Sequence, residues 1–272
     1  MGLAVLLKKA SLAGAFFVAA IWQLPALAFC SMSAADQAKV QTVAVRQVID
    51  GDTLRLNNGS RVRLIGINAP EIGRKGETSE PFAEAARQQL QALVKASGGR
   101  VELLPGAQPR DKYGRTLAHV FGRSGDNFEA QLLRQGLAVR VAVPPNTAFS
   151  ACQQQAEQAA RQAGTGVWQR PLVVAPGQLR KAGFALIRAQ VRAIKRNSGG
   201  IWIELEGPLV LQVPPRQVEN FSPGFTQGLE GHSIEARGWV LDRSRKGGSM
   251  PGQARWLLPL TDPSMLERQE RQ

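Results

Sequence analysis

Apolar and polar positions alternate from the fortieth residue onward. "VQTVAVRQV" (Val40 to Val48) alternates apolar and polar residues and is rich in β-branched types, the pattern of a half-buried strand. "TLRL" and "RVRLIGI" flank "NNGS", and Asn58-Gly59 between two alternating runs predicts a tight hairpin. Helical spacing follows from Pro81 to Lys95, through Phe82, Ala86, Leu90 and Leu93, and is closed by Gly98-Gly99. "RVELL" and "TLAHVF" read as two more strands, "NFEAQLLRQG" as a short helix ended by Gly136, and "LAVRVAV" as an extended piece. Cys152 to Gln162 is polar and alanine-rich, which predicts a surface helix, and Trp168 is placed to cap the unit.

Five short strands with interspersed helices predict a mainly β unit, a five-stranded barrel of the OB-fold type carrying helices. The texture changes at Pro171. "PLVVAPGQL" reads as a linker, and "ALIRAQVRAIKR", "GIWIELEG", "PLVLQVP", "HSIEARGWVLD" and "ARWLLPL" are short alternating strands broken by "NSGG" and "RKGG". They predict a second, smaller, all-β OB-like domain. Its Trp202, Trp239 and Trp256 are expected in the core rather than on a base-stacking face. At the other end, Lys8 and Lys9 precede an apolar run from Leu12 to Leu24, and Ala26 and Ala28 form an A-x-A cleavage signal. The run contains Gln23 and is followed by Pro25, short of what a membrane span needs. The expected organisation is a signal peptide over 1–28, a first domain over 29–170 and an accessory domain over 171–272. Export to the periplasm or the medium follows, with an uncleaved anchor and a lipid-anchored Cys30 as the alternatives.

Charge narrows the partner. The 272 residues carry a formal +13, and the excess is spread along the chain: 18 basic against 12 acidic residues from Phe29 to Arg170, and 14 against 9 from Pro171 onward. A field of this kind favours a polyanion through counterion release, nucleic acid or an acidic envelope surface. Cys30 and Cys152 are the two cysteines. An exported chain permits a bridge between them, two independent thiols being the other reading, and neither has the neighbours of a metal knuckle or a thiol nucleophile.

Three short stretches carry candidate chemistry. "DGDT" (Asp50 to Thr53) alone is ordinary turn chemistry, with Asp50 capping the turn and Asp52 solvated. "RLIGINAPE" (Arg63 to Glu71) starts as a buried strand and ends in polar groups, and "RDKYGR" (Arg110 to Arg115) is a basic turn. Together they predict more. Asp52 follows the first strand and Glu71 the third, so in a small barrel their oxygens can meet around a hard cation such as Ca²⁺. Arg63 and Arg115 supply planar, permanently charged forks suited to a phosphate and to the charge that develops on it. His119 and His232 are the only histidines and stand in no metal-ligand spacing, and no Ser/His/Asp arrangement competes.

"VIDGDTLRL", "RVRLIGINAPE", "RDKYGRTLAHVF" and "LLRQGLAVRV" resemble, in order and spacing, the thermonuclease or staphylococcal nuclease-like family from about Val43 to Trp168. The resemblance implies an OB-fold nuclease domain that hydrolyses DNA and RNA with Ca²⁺, single strands being favoured. It places Asp52 on the metal aspartate, Arg63 and Arg115 on the phosphate arginines, and Glu71 on the glutamate that positions and deprotonates the attacking water. Lys112 and Tyr113 fall on substrate contacts. Asn68 stands where the family usually has a metal-binding aspartate, so it can ligate only through its amide oxygen. "VRVAVPP" lacks the base-stacking tyrosines of some members. Two functions remain open: an exported Ca²⁺-dependent nuclease, expected as a monomer, and a catalytically inactive nucleic-acid or polyanion-binding envelope protein on the same fold. A chain ending near Arg170 is expected to retain the chemistry.

Overall fold

The computed structural model describes residues 30–73, 76–245 and 253–269; the signal-peptide reading lies outside them. A short helix α1 (Ala34–Gln37) leads into β1 (Gln41–Val48), β2 (Thr53–Leu56), β3 (Arg61–Leu64) and the two-residue β4 (Ile67–Asn68). Helix α2 (Ala83–Ala96), β5 (Arg100–Arg110), β6 (Thr116–Phe121), α3 (Phe128–Arg134), β7 (Val139–Arg140) and α4 (Ser150–Ala163) complete the first unit. Strands β1, β2, β3, β6 and β5 close a barrel in that order. Neighbours run antiparallel except β3 and β6, which are parallel with Val62 opposite Thr116. The hairpin over Asn58-Gly59 forms as predicted, with Gly59 at φ +84°. Leu54, Val62, Leu64, Val101 and Val120 fill the barrel, and Leu90, Phe121 and Leu132 seal it against α2 and α3.

The second unit comprises β8 (Val173–Val174), β9 (Gly183–Asn197), β10 (Gly200–Leu205), β11 (Leu209–Val213), β12 (Ser233–Asp242), β13 (Trp256–Pro259) and β14 (Leu266–Arg268). Pairings β9–β10, β10–β11, β11–β13, β13–β12 and β12–β9 also form a ring, with β11 and β13 its one parallel pair. Both barrels therefore join their strands in the circuit first, second, third, fifth, fourth. Ile187, Ile203, Leu211, Ile234, Trp256 and Leu258 form the second core.

Four expectations change. The "linker" is docked: Val173 and Val174 pair with Leu186 and Ile187, and Leu172 and Val173 pack with Val139, Val167 and Leu186. Helix α4 is no surface helix, because Gln153, Ala156, Glu157 and Ala160 are buried. Its alanines are small enough to let it lie between the two barrels. "LAVRVAV" contributes only a two-residue strand, since Ala142 leaves to join the second core. Of the three tryptophans expected inside, Trp256 is buried at 1% exposure, Trp202 is half-buried and Trp239 is 41% exposed. Trp168 is half-buried, with the Arg161 guanidinium 5.0 Å from its ring centre. Cys30 and Cys152 are joined by a disulfide, Cα to Cα 5.5 Å, that ties the start of the described chain to α4. No helix of the described residues is long and apolar enough to cross a membrane.

Candidate active site

The β1–β2 turn supplies the first carboxylates. Gly51 has no room for a side chain: a Cβ there would lie 2.6 Å from the Cβ atoms of both Ala69 and Ala86. The turn is thereby pressed between the end of the "INAPE" stretch and α2, and Asp50 and Asp52 are buried at 7% and 5% exposure. Asp50 Oδ1 accepts from the Asp52 backbone N–H at 3.1 Å. Asp52 is not the solvated turn residue that "DGDT" alone permits. Its Oδ1 accepts from the Thr53 hydroxyl at 3.0 Å, and its Oδ2 from the Ala69 N–H at 2.9 Å. Burial, then the Asp52 and Glu71 carboxylates, push Asp50 up to about 6. Asp50 is thus a buried carboxyl whose charge is disfavoured by its surroundings and by the two carboxylates nearest it in effect, Asp52 and the exposed Glu71.

Arg63 enters from β3. Its Nη2 lies 2.9 Å from Asp52 Oδ2 and donates to Asn68 Oδ1 at 3.4 Å, while its Nη1 donates to the Leu64 carbonyl at 2.8 Å. One cationic nitrogen therefore spans the two oxygens that the sequence assigns to a metal. Asn68 is held there by β4, whose pairing with β7 sets Ile67 opposite Arg140 and Asn68 opposite Val139. Gly66, at φ +85°, makes the bend before β4, and a side chain there would collide with Gln153, whose amide donates to the Ile65 carbonyl at 3.1 Å. Glu71 is exposed; its backbone N–H donates to Glu80 Oε2 at 3.0 Å and its carbonyl accepts from the Glu80 N–H at 2.9 Å.

Arg115 sits just before β6, the strand alongside β3. Its Nε lies 2.6 Å from Asp111 Oδ2, and its backbone N–H donates to Asp111 Oδ1 at 2.9 Å. Burial works to raise Asp111, but these Arg115 contacts outweigh it and hold the carboxyl below the usual range. Tyr113 is 65% exposed at the tip of this turn, with Lys112 Nζ 5.1 Å and Arg115 Cζ 5.5 Å from its ring centre. The structure thus joins Asp52, Arg63 and Asn68 by direct contacts, brings Asp50 and Glu71 into their electrostatic range, and holds Arg115, Lys112 and Tyr113 on the neighbouring turn.

Sequence reasoning missed several residues. Asp50 read as a turn cap, Glu80 and Asp111 were not singled out, and nothing pointed to the second barrel as a brace. Yet the Arg140 N–H donates to Glu157 Oε1 at 2.7 Å, and its guanidinium donates to the Ser264 hydroxyl and carbonyl at 2.9 and 2.8 Å. Arg237 of β12 reaches Glu157 Oε2 at 2.5 Å and the Arg140 carbonyl at 3.4 Å. The strand that holds Asn68 in place is itself pinned by buried groups of the second barrel. "DGDT" hinted at Asp50 by carrying two acids, whereas Glu157 and Arg237 lie 80 residues apart and leave no local pattern.

The Asp52 and Asn68 oxygens are of the kind that suits a hard cation, and the Arg63 nitrogen shows that a positive group is accepted between them. Among the described residues, no group of three or more His, Cys, Asp or Glu side chains is placed to hold a metal ion.

Comparison with known proteins agrees with this geometry. A family model described as "Staphylococcal nuclease homologue" matches residues 61–170. The chain is 34% identical over 134 residues to the thermonuclease of Staphylococcus intermedius, covering 48% of this chain and 77% of the relative. It is 32% identical over 139 residues to endonuclease YncB of Bacillus subtilis (strain 168), covering 50% of this chain and 65% of that protein. With the SPbeta prophage-derived endonuclease YokF of the same organism it shares 29% over 159 residues, 57% of this chain and 51% of that protein. With its first barrel aligned over three quarters of a thermonuclease, this chain belongs to the staphylococcal nuclease-like family.

Proposed function

We propose that the protein is an exported, Ca²⁺-dependent nuclease that hydrolyses phosphodiester bonds of DNA and RNA at the first barrel. The observation that carries the reading is the single Arg63 nitrogen spanning Asp52 Oδ2 and Asn68 Oδ1 amid three carboxylates. Asp52 and Asn68 would hold the calcium ion, which when bound supplies positive charge against the phosphate oxygens.

The chain's own residues do the rest. Arg63 and Arg115 grip the phosphate and stabilise the charge that grows on it as the bond breaks. Asp111 aims Arg115 through the 2.6 Å contact at Nε, leaving the two terminal nitrogens for substrate. Glu71 orients a water and takes its proton, its loop held by the two backbone bonds to Glu80. Lys112 and Tyr113 contact the strand being cut, Tyr113 by offering an exposed ring to a base.

A second reading, binding without turnover, draws on the same contacts: Arg63 is committed to Asp52, and Asn68 brings no charge to the cation. Asn68→Asp separates the two. In a nuclease, the substitution lowers the calcium concentration needed for half-maximal cleavage and tightens calcium in direct titration, because calcium affinity follows ligand charge. Cleavage by Asn68→Asp alone, with none by the wild type at any calcium concentration, would establish the binding-only protein.

A further inference from the structure

We propose that the second barrel carries its own binding site for single-stranded nucleic acid, on the face formed by its second and third strands and the adjoining loops. The inference rests on the nuclease reading for its choice of ligand and goes beyond it by locating a site apart from the cleavage centre.

OB-type barrels bind oligomers across the second and third strands, flanked by the loops between strands one and two and between four and five. A groove of about 240 Å³ occupies that place here. Arg192, Lys195 and Asn197, the last residue of the strand, come from β9, Trp202 and Glu204 from β10, and Arg243 from the stretch after β12.

The groove is built around the Trp202 ring. Its Nε1–H donates to Asn197 Oδ1 at 2.9 Å, and the Asn197 oxygen also accepts from the Gly199 N–H at 2.8 Å. A Cβ on Gly199 would lie 3.0 Å from the ring, so the turn backs the indole closely and fixes its orientation without covering it. Lys195 stands directly opposite Trp202 across the β9–β10 pair. A π-face bordered by a cation is the unit that reads a stacked base and its phosphate.

Charge supports the same ligand. Arg192 and Lys195, 68% and 63% exposed, both lean on Glu204, at 2.9 and 2.6 Å. Arg243 is steadied by Gln253 at 2.6 Å. Three cations face one carboxylate, so the groove is net positive, and Arg192 and Lys195 are largely open to solvent. Glu204 is the one acid of the lining, so nothing repeats the Asp52, Arg63 and Asn68 arrangement, and the site binds without cutting.

The test measures binding of a labelled single-stranded DNA of about 20 nucleotides to the full chain, in chelator so that nothing is cleaved. Trp202→Ala should weaken binding by about tenfold, within the range of one lost base stack, and Trp202→Phe should restore most of it. The double variant Arg192→Gln/Lys195→Gln, confined to solvent-exposed side chains, should lower the salt slope by about 1.4, two phosphate contacts at about 0.7 each. An abasic strand of equal length should bind the wild type more weakly than the DNA. Wild-type affinity and salt slope in Trp202→Ala and in the double variant would overturn the proposal, as would equal binding of the abasic strand, which would leave only a polyanion surface. Cleavage by the wild type with Ca²⁺ is scored separately. Absence of cleavage with Trp202-dependent binding sinks the nuclease reading alone, and cleavage with Trp202-independent binding sinks this proposal alone.

Discussion

Both barrels close their strands through the same circuit, with a parallel seam between the third and fifth strands, and they use it for opposite ends. In the first barrel, the ends of the strands carry Asp52, Arg63 and Asn68, and a buried turn concentrates acids beside them. In the second, the corresponding strands carry Trp202 and Glu204, and the acids of its interior are neutralised by arginine. The buried carboxylates show the contrast well. Glu129 of the first barrel is pushed up to about 8 by burial and accepts the Val120 N–H at 2.9 Å. His119 lies 3.9 Å away but is itself lowered to about 4 by burial, so at neutral pH the pair is an acid beside a neutral imidazole and not an ion pair. Burial also works to raise Glu235 of the second barrel, but Arg161, bonded to both its oxygens at 2.7 and 2.6 Å, and Arg188 outweigh it and hold Glu235 below its usual range. One circuit tolerates both solutions because function sits on strand ends and loops, which the barrel core does not constrain.

The largest expected effect separates the barrels by their covalent tie. Only the first is stapled, by Cys30–Cys152 across 122 residues, and in the loop-entropy account such a closure contributes about 5 kcal/mol. Replacing both cysteines by serine should lower unfolding free energy by about that amount in urea titrations, with the transition attributable to the first barrel unfolding earlier. Coincident loss of both barrels would show that their interface makes them one cooperative unit.

Next comes that interface. Arg237→Ala leaves Glu157 buried without its guanidinium and should cost about 3 to 5 kcal/mol, read from urea unfolding of the full chain. The same geometry revises the expectation that a chain ending near Arg170 retains its chemistry, since such a chain loses Arg237 and Ser264, which pin Arg140 beside Ile67 and Asn68. The truncated form should bind calcium more weakly than the full chain. Equal calcium affinity in the two would show that the brace does not reach the site.

Arg63→Ala and Arg115→Ala should each lower kcat at least about a hundredfold while changing substrate affinity less, because both act mainly on charge present only in the transition state. A variant with wild-type kcat removes its residue from the mechanism. Single-turnover cleavage with calcium saturating makes the measurement.

The most gradual effect is a pH signature. Glu129 has its folded value raised, so its contribution to stability is fully present below about 4.5 and is lost as pH rises through about 8, at about 1 kcal/mol per pH unit in between. Glu129→Gln should abolish that decline. Glu235→Gln should do the reverse: with the folded value lowered, the Glu235 contribution is present above the unfolded value and lost as the solution is acidified. Chemical denaturation at several pH values compares the two, and matching profiles would contradict the assignment of a protonated acid to one barrel and a paired carboxylate to the other.

Much of the first barrel was legible because its signals are local. Asn58-Gly59 names its own turn, Gly136 ends its own helix, and the first three motif blocks lie along β2, β3 and β6, neighbours in the barrel. Asp52, Arg63 and Asn68 were readable for the same reason, sitting within 17 residues on successive strands. What escaped was long-range. Helix α4 looked like surface because alanine and glutamine are equally at home there, and only the partners Ile65 and Arg237 show that Gln153 and Glu157 are inside. "PLVVAPGQL" looked like a linker because two paired residues are too few to make a periodicity. Trp239 and Trp256 read alike in sequence, and only the strand pairing, which sets the buried face of β12 and of β13, decides that one faces solvent and the other the core.

The account turns on whether the first barrel's oxygens and arginines constitute a working metal-dependent site. The direct measurement is cleavage of single-stranded DNA by the purified protein across a calcium titration, with excess chelator as the reference. The account predicts cleavage that rises with calcium, saturates, and falls to background in chelator. Binding of the same DNA with no cleavage at any calcium concentration, or cleavage undiminished by chelator, would contradict it.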